Sequence, residues 1–310
     1  MEKPKACFKT SVGGQALMEG IMMRGPEKIC VAVRKPDGSI DLSYDQVKRH
    51  PWQKIPLVRG AANMIENLVL GYRYLMHSAE ISMGEDYEAE QSKFDKWLEA
   101  HAGPRLQSFL LALAAVCGGL LAIVLFLVLP TAIVGLIDRF LPLGGLKVVM
   151  EGALKLALFV GYLFLCTRMK EIHRVFEYHG AEHKTIACYE AGEPLTVENV
   201  RTKSRFHPRC GTNFLILVLI VSIVLFSVLP WTSTGLRVVL KLLLLPLLMG
   251  ISYEFIKLAG RYDNLFTRII SAPGLWLQRL TTFEPDDSMI EVAIAAVTPV
   301  LPETPEGAAW

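Results

Sequence analysis

Two histidines and a glutamate lie close together at residues 177–184 of the 310-residue chain. His179 and His183 are four residues apart, so on a helix they share one face. Two imidazoles at this spacing can bind one zinc ion, and Glu182 lies beside them as a candidate base. The pattern H-x-x-E-H is typical of the inverted zincins, which are zinc hydrolases. Alternatively, both histidines are solvated on a polar helix and pair with neighbouring glutamates.

A third metal ligand must come from elsewhere in the chain. Glu254 is one candidate, because an ionisable residue within an apolar segment is a functional hypothesis. His207 and Cys210 are a second candidate set. Four protein ligands would indicate a structural zinc ion, whereas three ligands and a water would leave a position open for catalysis. The alternatives are an ion pair of Glu254 on its own helix, and purely structural roles for His207 and Cys210.

A glycine-rich and methionine-rich segment covers residues 13–26 and contains Glu19 and Arg24. Its glycines allow the backbone to approach another group closely, so Glu19 and Arg24 could reach the metal region or a substrate. The segment lacks the Gly-Lys-Ser/Thr ending of a phosphate-binding loop. We favour the simpler interpretation, a tightly turned packing segment in which methionines fill gaps.

The elements that carry these residues are predicted to be membrane helices. Hydrophobic residues make up 52% of the chain and charged residues 20%, which excludes a disordered protein and disfavours an ordinary soluble domain. Residues 106–137 and 210–236 contain no charge, and each run exceeds the roughly 20 residues that cross a bilayer. Weaker apolar segments at 148–167 and 238–256 follow them. We predict four crossings, with buried core helices as the alternative for the two weaker segments.

The two halves of this region resemble each other. Residues 125–130 are similar to residues 225–230, and residues 145–149 are similar to residues 235–239, in the same order. Two helical hairpins of equal orientation would form a parallel repeat about an axis along the membrane normal. Chance similarity between leucine-rich helices is the alternative.

Basic residues predict the orientation. Residues 1–105 contain 15 Lys or Arg and the connector 168–209 contains eight, whereas the short turns between the predicted hairpin helices contain few. The positive-inside rule therefore places both termini and the connector in the cytoplasm. The formal charge of +2 gives no reason to expect a nucleic acid as partner.

The chain divides into three predicted parts, and the expected fold class is mainly α with a small α+β module. Residues 1–105 form a cytoplasmic module with a β-hairpin at 29–34 and 39–43, whose turn Lys35-Pro36-Asp37-Gly38 has suitable chemistry. An amphipathic helix follows at 56–83, and we slightly favour packing against protein over packing on lipid. Residues 106–260 form the membrane domain, including the connector. Residues 261–310 form cytoplasmic helices at 265–280 and 288–297, and then a tail.

Five motifs resemble the YqhQ-like family of bacterial membrane proteins, a family designated as a domain of unknown function (number 1385). They lie at residues 13–26, 178–185, 207–212, 252–254 and 284–287, and the resemblance extends over roughly residues 11–300. The family carries the label "predicted metal-dependent enzyme". The resemblance therefore implies a bacterial cytoplasmic-membrane location and a metal near His179, Glu182 and His183, but no particular reaction.

Two classes of function remain open at this point. The first is a cytoplasm-facing, zinc-dependent membrane hydrolase with His179 and His183 as ligands, Glu182 as base and a peptide or lipid-linked substrate. The second is a non-catalytic scaffold, chaperone or translocation-associated protein, in which the same polar cluster is structural. A transporter is a weaker third class. The expected partners are the lipid bilayer and other membrane proteins.

Overall fold

The structure is a computed structural model that describes residues 10–48, 50–84, 104–208, 210–262 and 264–302. It is mainly helical, as predicted, with a small N-terminal sheet. The strands are β1 (Gly13–Leu17), β2 (Gly20–Arg24), β3 (Lys28–Arg34) and β4 (Ile40–Gln46). The helices are α1 (Val58–Met83), α2 (Pro104–Ile123), α3 (Leu129–Phe140), α4 (Leu146–Cys166), α5 (Lys170–Glu190), α6 (Val197–Arg201), α7 (Gly211–Ser227), α8 (Thr234–Arg261), α9 (Leu265–Thr281) and α10 (Asp287–Val297).

The four strands form an antiparallel meander in the order β1-β2-β3-β4. The predicted hairpin is confirmed as β3 and β4, and Gly38 takes a positive φ of 86° in its turn. The hairpin of β1 and β2 was not predicted, because its glycines favour turns over strands. Gly20 is required there, since a Cβ would lie 2.5 Å from the carbonyl oxygen of Ala32 on β3.

The sheet has two buried faces, because alternate residues of a strand point to opposite sides. Ile21, Met23 and Cys30 pack with Tyr178 of α5 and with Met289 of α10. Leu17, Met22, Ile29, Val31 and Val33 pack with Tyr74 of α1 on the other face. The sheet is therefore covered by α5 and α10 on one face and by α1 on the other.

Contacts group the chain into two compact units. The first contains Met1–Gly84, Leu163–Val218 and Pro246–Trp310, so the N-terminal sheet, the connector and the C-terminal helices belong together. The second contains Glu85–Tyr162 and Leu219–Leu245.

Three helical segments in the described part of the chain are long and apolar enough to cross a membrane. They are Ala112–Phe140, Leu146–Cys166 and Thr234–Leu258. They correspond to three of the four predicted crossings. The remaining one is helix α7, which has only 17 residues. At 1.5 Å per residue it is about 25 Å long, somewhat less than the roughly 30 Å hydrocarbon core.

Several charged residues inside the apolar helices of the second unit form buried ion pairs. Glu151 pairs with Lys241, lies 3.0 Å from Arg237 and accepts a hydrogen bond of 2.8 Å from Thr131. All four side chains are buried. Paired charges are the arrangement in which such groups are tolerated away from water.

Candidate metal centre

Three ligand atoms converge on one point beside the sheet. They belong to His179, His183 and Cys210, and all lie within 4.8 Å of one another. The two histidines follow each other by one turn on α5, and Cys210 comes directly before α7. The helical spacing therefore brings the imidazoles together as predicted, and the chain between α5 and α7 brings the cysteine to them.

Both imidazole rings are oriented by backbone carbonyls. Nδ1 of His179 lies 2.7 Å from the carbonyl oxygen of Thr281, and Nδ1 of His183 lies 2.6 Å from that of Arg205. A carbonyl only accepts, so each Nδ1 carries the proton and each Nε2 is left as an acceptor in the neutral ring. Histidine ligands of metals are typically held in this way by a second hydrogen bond.

The Cys210 sulfur is stabilised as a thiolate. Burial opposes the charged form, but the adjacent His179 and His183 hold the pKa of Cys210 well below its usual value. The Nε2 atom of His179 lies 3.1 Å from the sulfur, and the Thr212 amide donates to the sulfur over 3.4 Å. Burial also disfavours the charged imidazole, yet the thiolate raises the pKa of His179 to about 9.

Glu182 lies next to this group without being one of the three converging ligands. Its Oε1 accepts a hydrogen bond of 3.1 Å from the Gly14 amide on β1, and burial raises its pKa. Its Oε2 is buried and has no hydrogen-bond partner among the described residues. The carboxylate is therefore fixed at one oxygen and available at the other.

The donor set fits a zinc ion. Nε2 of His183 is buried and, among the described residues, has no hydrogen-bond partner. A buried nitrogen without a partner is costly, and a metal ion would satisfy it. Two imidazole nitrogens and a thiolate are ligands that zinc prefers, and three protein ligands leave a fourth position open. His179, His183 and Cys210 would hold the ion.

Close contacts hold helix α5 in position on both sides of the candidate ligands His179 and His183. Gly180 packs so tightly on the Phe283 carbonyl that no side chain would fit. Lys184 forms an ion pair of 2.5 Å with Glu284, and the Phe283 amide donates to the Phe176 carbonyl. The motif at 284–287 therefore connects α5 to α10: Glu284 pairs with α5, and Asp286 caps the start of α10. Helix α4 ends at Cys166 and α5 begins at Lys170, so the two are separate helices.

His207 lies near the three candidate ligands, but its imidazole contacts a carboxylate outside that set. Its ring centroid lies 5.6 Å from that of His183, and its Nε2 lies 3.5 Å from a carboxylate oxygen of Glu190. Its backbone amide and carbonyl are held by the buried side chain of Gln278 on α9. His207 therefore lies beside the three converging ligands rather than among them.

Glu254 is not among the three converging ligands. Arg59 binds both of its oxygens, and the Leu57 amide donates to Oε1 over 3.3 Å. The sequence suggested an ion pair on the same helix, but Arg59 lies on α1, 195 residues away in the chain.

Glu19 and Arg24 also form ion pairs away from the three candidate ligands. Glu19 lies in the turn between β1 and β2, where it accepts from Arg174 and from the Tyr178 hydroxyl. Arg24 lies 3.6 Å from Glu66 on α1. The glycine-rich segment does reach the site, but through the Gly14 amide.

Several contributors to the site were not found from the sequence. The carbonyls of Thr281 and Arg205 orient the histidines, and Gln278 holds the chain next to His207. Any residue type carries a carbonyl, so no sequence pattern marks these positions. The pair Gly13-Gly14 was the one available signal, since it indicated a close backbone approach.

Together, the long apolar helices and the converging ligands define a membrane-associated protein with a candidate metal centre. The chain belongs to the family described as protein of unknown function DUF1385, whose sequence profile matches residues 55–303. It is 36% identical to the uncharacterized protein YqhQ of Bacillus subtilis (strain 168) over 298 residues, which cover 93% of this chain and 92% of that protein. The resemblance to the YqhQ-like family is thereby confirmed. No solved structure matches the chain.

Proposed function

We propose that this protein is a zinc-dependent membrane enzyme, most simply a hydrolase. The observation that carries the proposal is the convergence of His179, His183 and Cys210, with both Nδ1 atoms already bound to carbonyls.

Each residue has a definite role in this proposal. A zinc ion held by His179, His183 and Cys210 would act as a Lewis acid and lower the pKa of a bound water toward about 7. Glu182 would serve as the base, because its Oε1 is held by the Gly14 amide, its Oε2 is available for a proton, and burial raises the pKa of the carboxyl group. Arg205 and Thr281 hold the rings in the tautomer that leaves Nε2 free.

We further propose that the protein crosses the bacterial cytoplasmic membrane four times, with both termini in the cytoplasm. The sheet, α5 and α10 pack in one unit, which supports placing them on the same side of the membrane. The chain between α5 and α10 must then cross an even number of times. This requirement supports a crossing by the short helix α7 together with α8.

The catalytic role is tested by Glu182→Gln, with Glu177→Gln on the same helix as the matched control. Because Glu182 is not one of the three ligands, the variant is expected to retain zinc but to fail in complementing a deletion strain. Glu177→Gln is expected to retain both. Full complementation by Glu182→Gln, with zinc bound and normal protein levels, would contradict the catalytic role.

The burial of the cluster favours a second candidate, a non-catalytic membrane scaffold with a structural ion. Exposed fractions are only 1% for His183, 5% for Glu182 and 7% for Cys210. This candidate predicts that Glu182→Gln functions normally, that Cys210→Ala fails, and that a stable complex with another membrane protein survives mild detergent.

A further inference from the structure

Helix α1 has an apolar face that none of the described residues of its own unit covers. The opposite face packs Tyr74, Leu70 and Leu75 against the sheet. The uncovered residues follow helical spacing, and three of them, Ile65, Leu68 and Val69, are 60–63% exposed. The complete stripe is Ile65, Leu68, Val69, Tyr72 and Met76.

Helix α9 has a similar face. Its buried side carries Leu277 and Gln278, and Gln278 holds the backbone of His207 beside the candidate metal centre. Its exposed side carries Leu265, Ile269 and Trp276, at 76%, 62% and 55% exposure. Arg268 and Arg279 lie on the same stripe by helical spacing. Apolar and aromatic residues interleaved with arginine are typical of helices that lie in the membrane interface.

Both helices lie next to the candidate membrane helix α8, α1 by contact and α9 by chain connection. The first turn of α1 crosses α8 where two glycines meet, since a Cβ on Gly60 would lie 2.8 Å from Cα of Gly250. Gly250 lies inside the candidate span Thr234–Leu258. Helix α9 begins at Leu265, four residues after α8 ends at Arg261. The apolar stripes are therefore continuous with a surface that faces lipid in our proposed topology.

We propose that α1 and α9 lie in the plane of the membrane with these stripes embedded in the lipid interface. The occupant is the bilayer, because the stripes begin at the membrane helix α8 and α9 places two arginines at headgroup level. The packing of one face of α1 on the sheet agrees with the slight preference for protein packing of residues 56–83. The proposal adds contact with lipid on the other face. It also holds the metal centre next to the membrane surface, because α9 supplies the Thr281 carbonyl that orients His179.

The test is photo-crosslinking of the full chain in vesicles of phosphatidylethanolamine and phosphatidylglycerol. Benzoylphenylalanine replaces Leu68 on α1 or Trp276 on α9, both exposed positions where an aromatic group does not disturb the core. The control position is Tyr44 on β4, an aromatic residue that is 60% exposed and lies outside both stripes. Mass spectrometry of the labelled peptides then identifies the covalent adducts.

We expect lipid adducts at positions 68 and 276 in several-fold excess over position 44. Equal lipid labelling at all three positions would overturn the proposal. Crosslinks from 68 or 276 to a second protein chain in place of lipid would also overturn it, and would indicate a protein interface. This result does not depend on zinc or on activity, so the experiment tests the lipid contact separately from the enzymatic function.

Discussion

Cys210 and His179 are in direct contact in the candidate centre, with 3.1 Å between the sulfur and Nε2. The helical spacing of His179 and His183 could be read from the sequence, because i and i+4 residues share a face. Cys210 was only one of several possible third ligands, since its position depends on how the chain folds back between α5 and α7. Glu254 appeared equally suitable, and its distant partner Arg59 could not be recognised from spacing.

In the metal-free protein, Cys210 is expected to be a thiolate at neutral pH. The folded-state pKa of Cys210 is lowered, so the thiolate persists as the pH falls below 9 and its stabilising effect is lost only when the pH passes the lowered value. The His179 pKa is raised to about 9, so the imidazolium contributes below 6.5 and its contribution is lost as the pH rises through about 9.

The titration can be followed by ultraviolet absorbance of the thiolate, as the difference between the wild type and Cys210→Ser. His179→Ala is expected to move the midpoint upward, because it removes the adjacent cation. Cys188 is the internal control, since burial raises its pKa and it stays protonated at neutral pH. A Cys210 midpoint near that of an ordinary thiol would contradict this electrostatic assignment.

At the scale of elements, much of the fold was predictable. Helices at 56–83, 265–280 and 288–297 and the β3–β4 hairpin were recognised, because hydrophobic periodicity and turn chemistry are local signals. The β1–β2 hairpin was missed, since its glycines are selected by close packing against other parts of the chain. Its role in fixing Glu182 is likewise a long-range property.

Because β1 packs against α5, we expect alanine substitutions at two adjacent glycines of β1 to differ strongly in their effect on stability. A Cβ on Gly14 would lie 2.6 Å from the Met22 carbonyl oxygen and 3.1 Å from Cδ of Glu182, whereas a Cβ on Gly13 meets nothing within 4 Å. Gly14→Ala should therefore cost about 1–3 kcal/mol of unfolding free energy, as overpacked substitutions do. Gly13→Ala should change it by no more than about 0.5 kcal/mol.

Denaturant unfolding of the detergent-solubilised protein measures both values. Gly14→Ala should also alter the pKa of Glu182, because the strand that donates to the carboxylate is displaced. Equal stability of the two variants would contradict the described packing of Gly14 against β2 and α5.

At the scale of the whole molecule, the apolar composition predicted membrane association. Three helices have the length and composition to span a bilayer. The number of crossings was harder to predict, because a run of 27 uncharged residues at 210–236 contains a helix of only 17 residues, which ends at Ser227. The grouping of three distant chain segments in one unit is a tertiary property that no local pattern reports.

The proposed topology can be tested with reporter fusions at the N-terminus and after residue 310. A fluorescent protein that matures only in the cytoplasm should be bright at both ends, and alkaline phosphatase should be inactive at both. The packing of the sheet with α10 places both ends on one side, and the basic residues of 1–105 and 168–209 favour the cytoplasmic side. Reporters on opposite sides of the membrane would show that α7 does not cross.

The metal content of the purified full chain tests the central claim most directly. Elemental analysis after purification without chelators should give about one zinc per chain for the wild type. His183→Ala should lose the zinc, because it removes one of the three ligands. The control is His173→Ala, which should retain the zinc. His173 lies on the same helix, but its ring stacks on that of Phe283, with 4.1 Å between the ring centroids. A wild-type protein without stoichiometric zinc, or undiminished zinc in His183→Ala, would contradict the account.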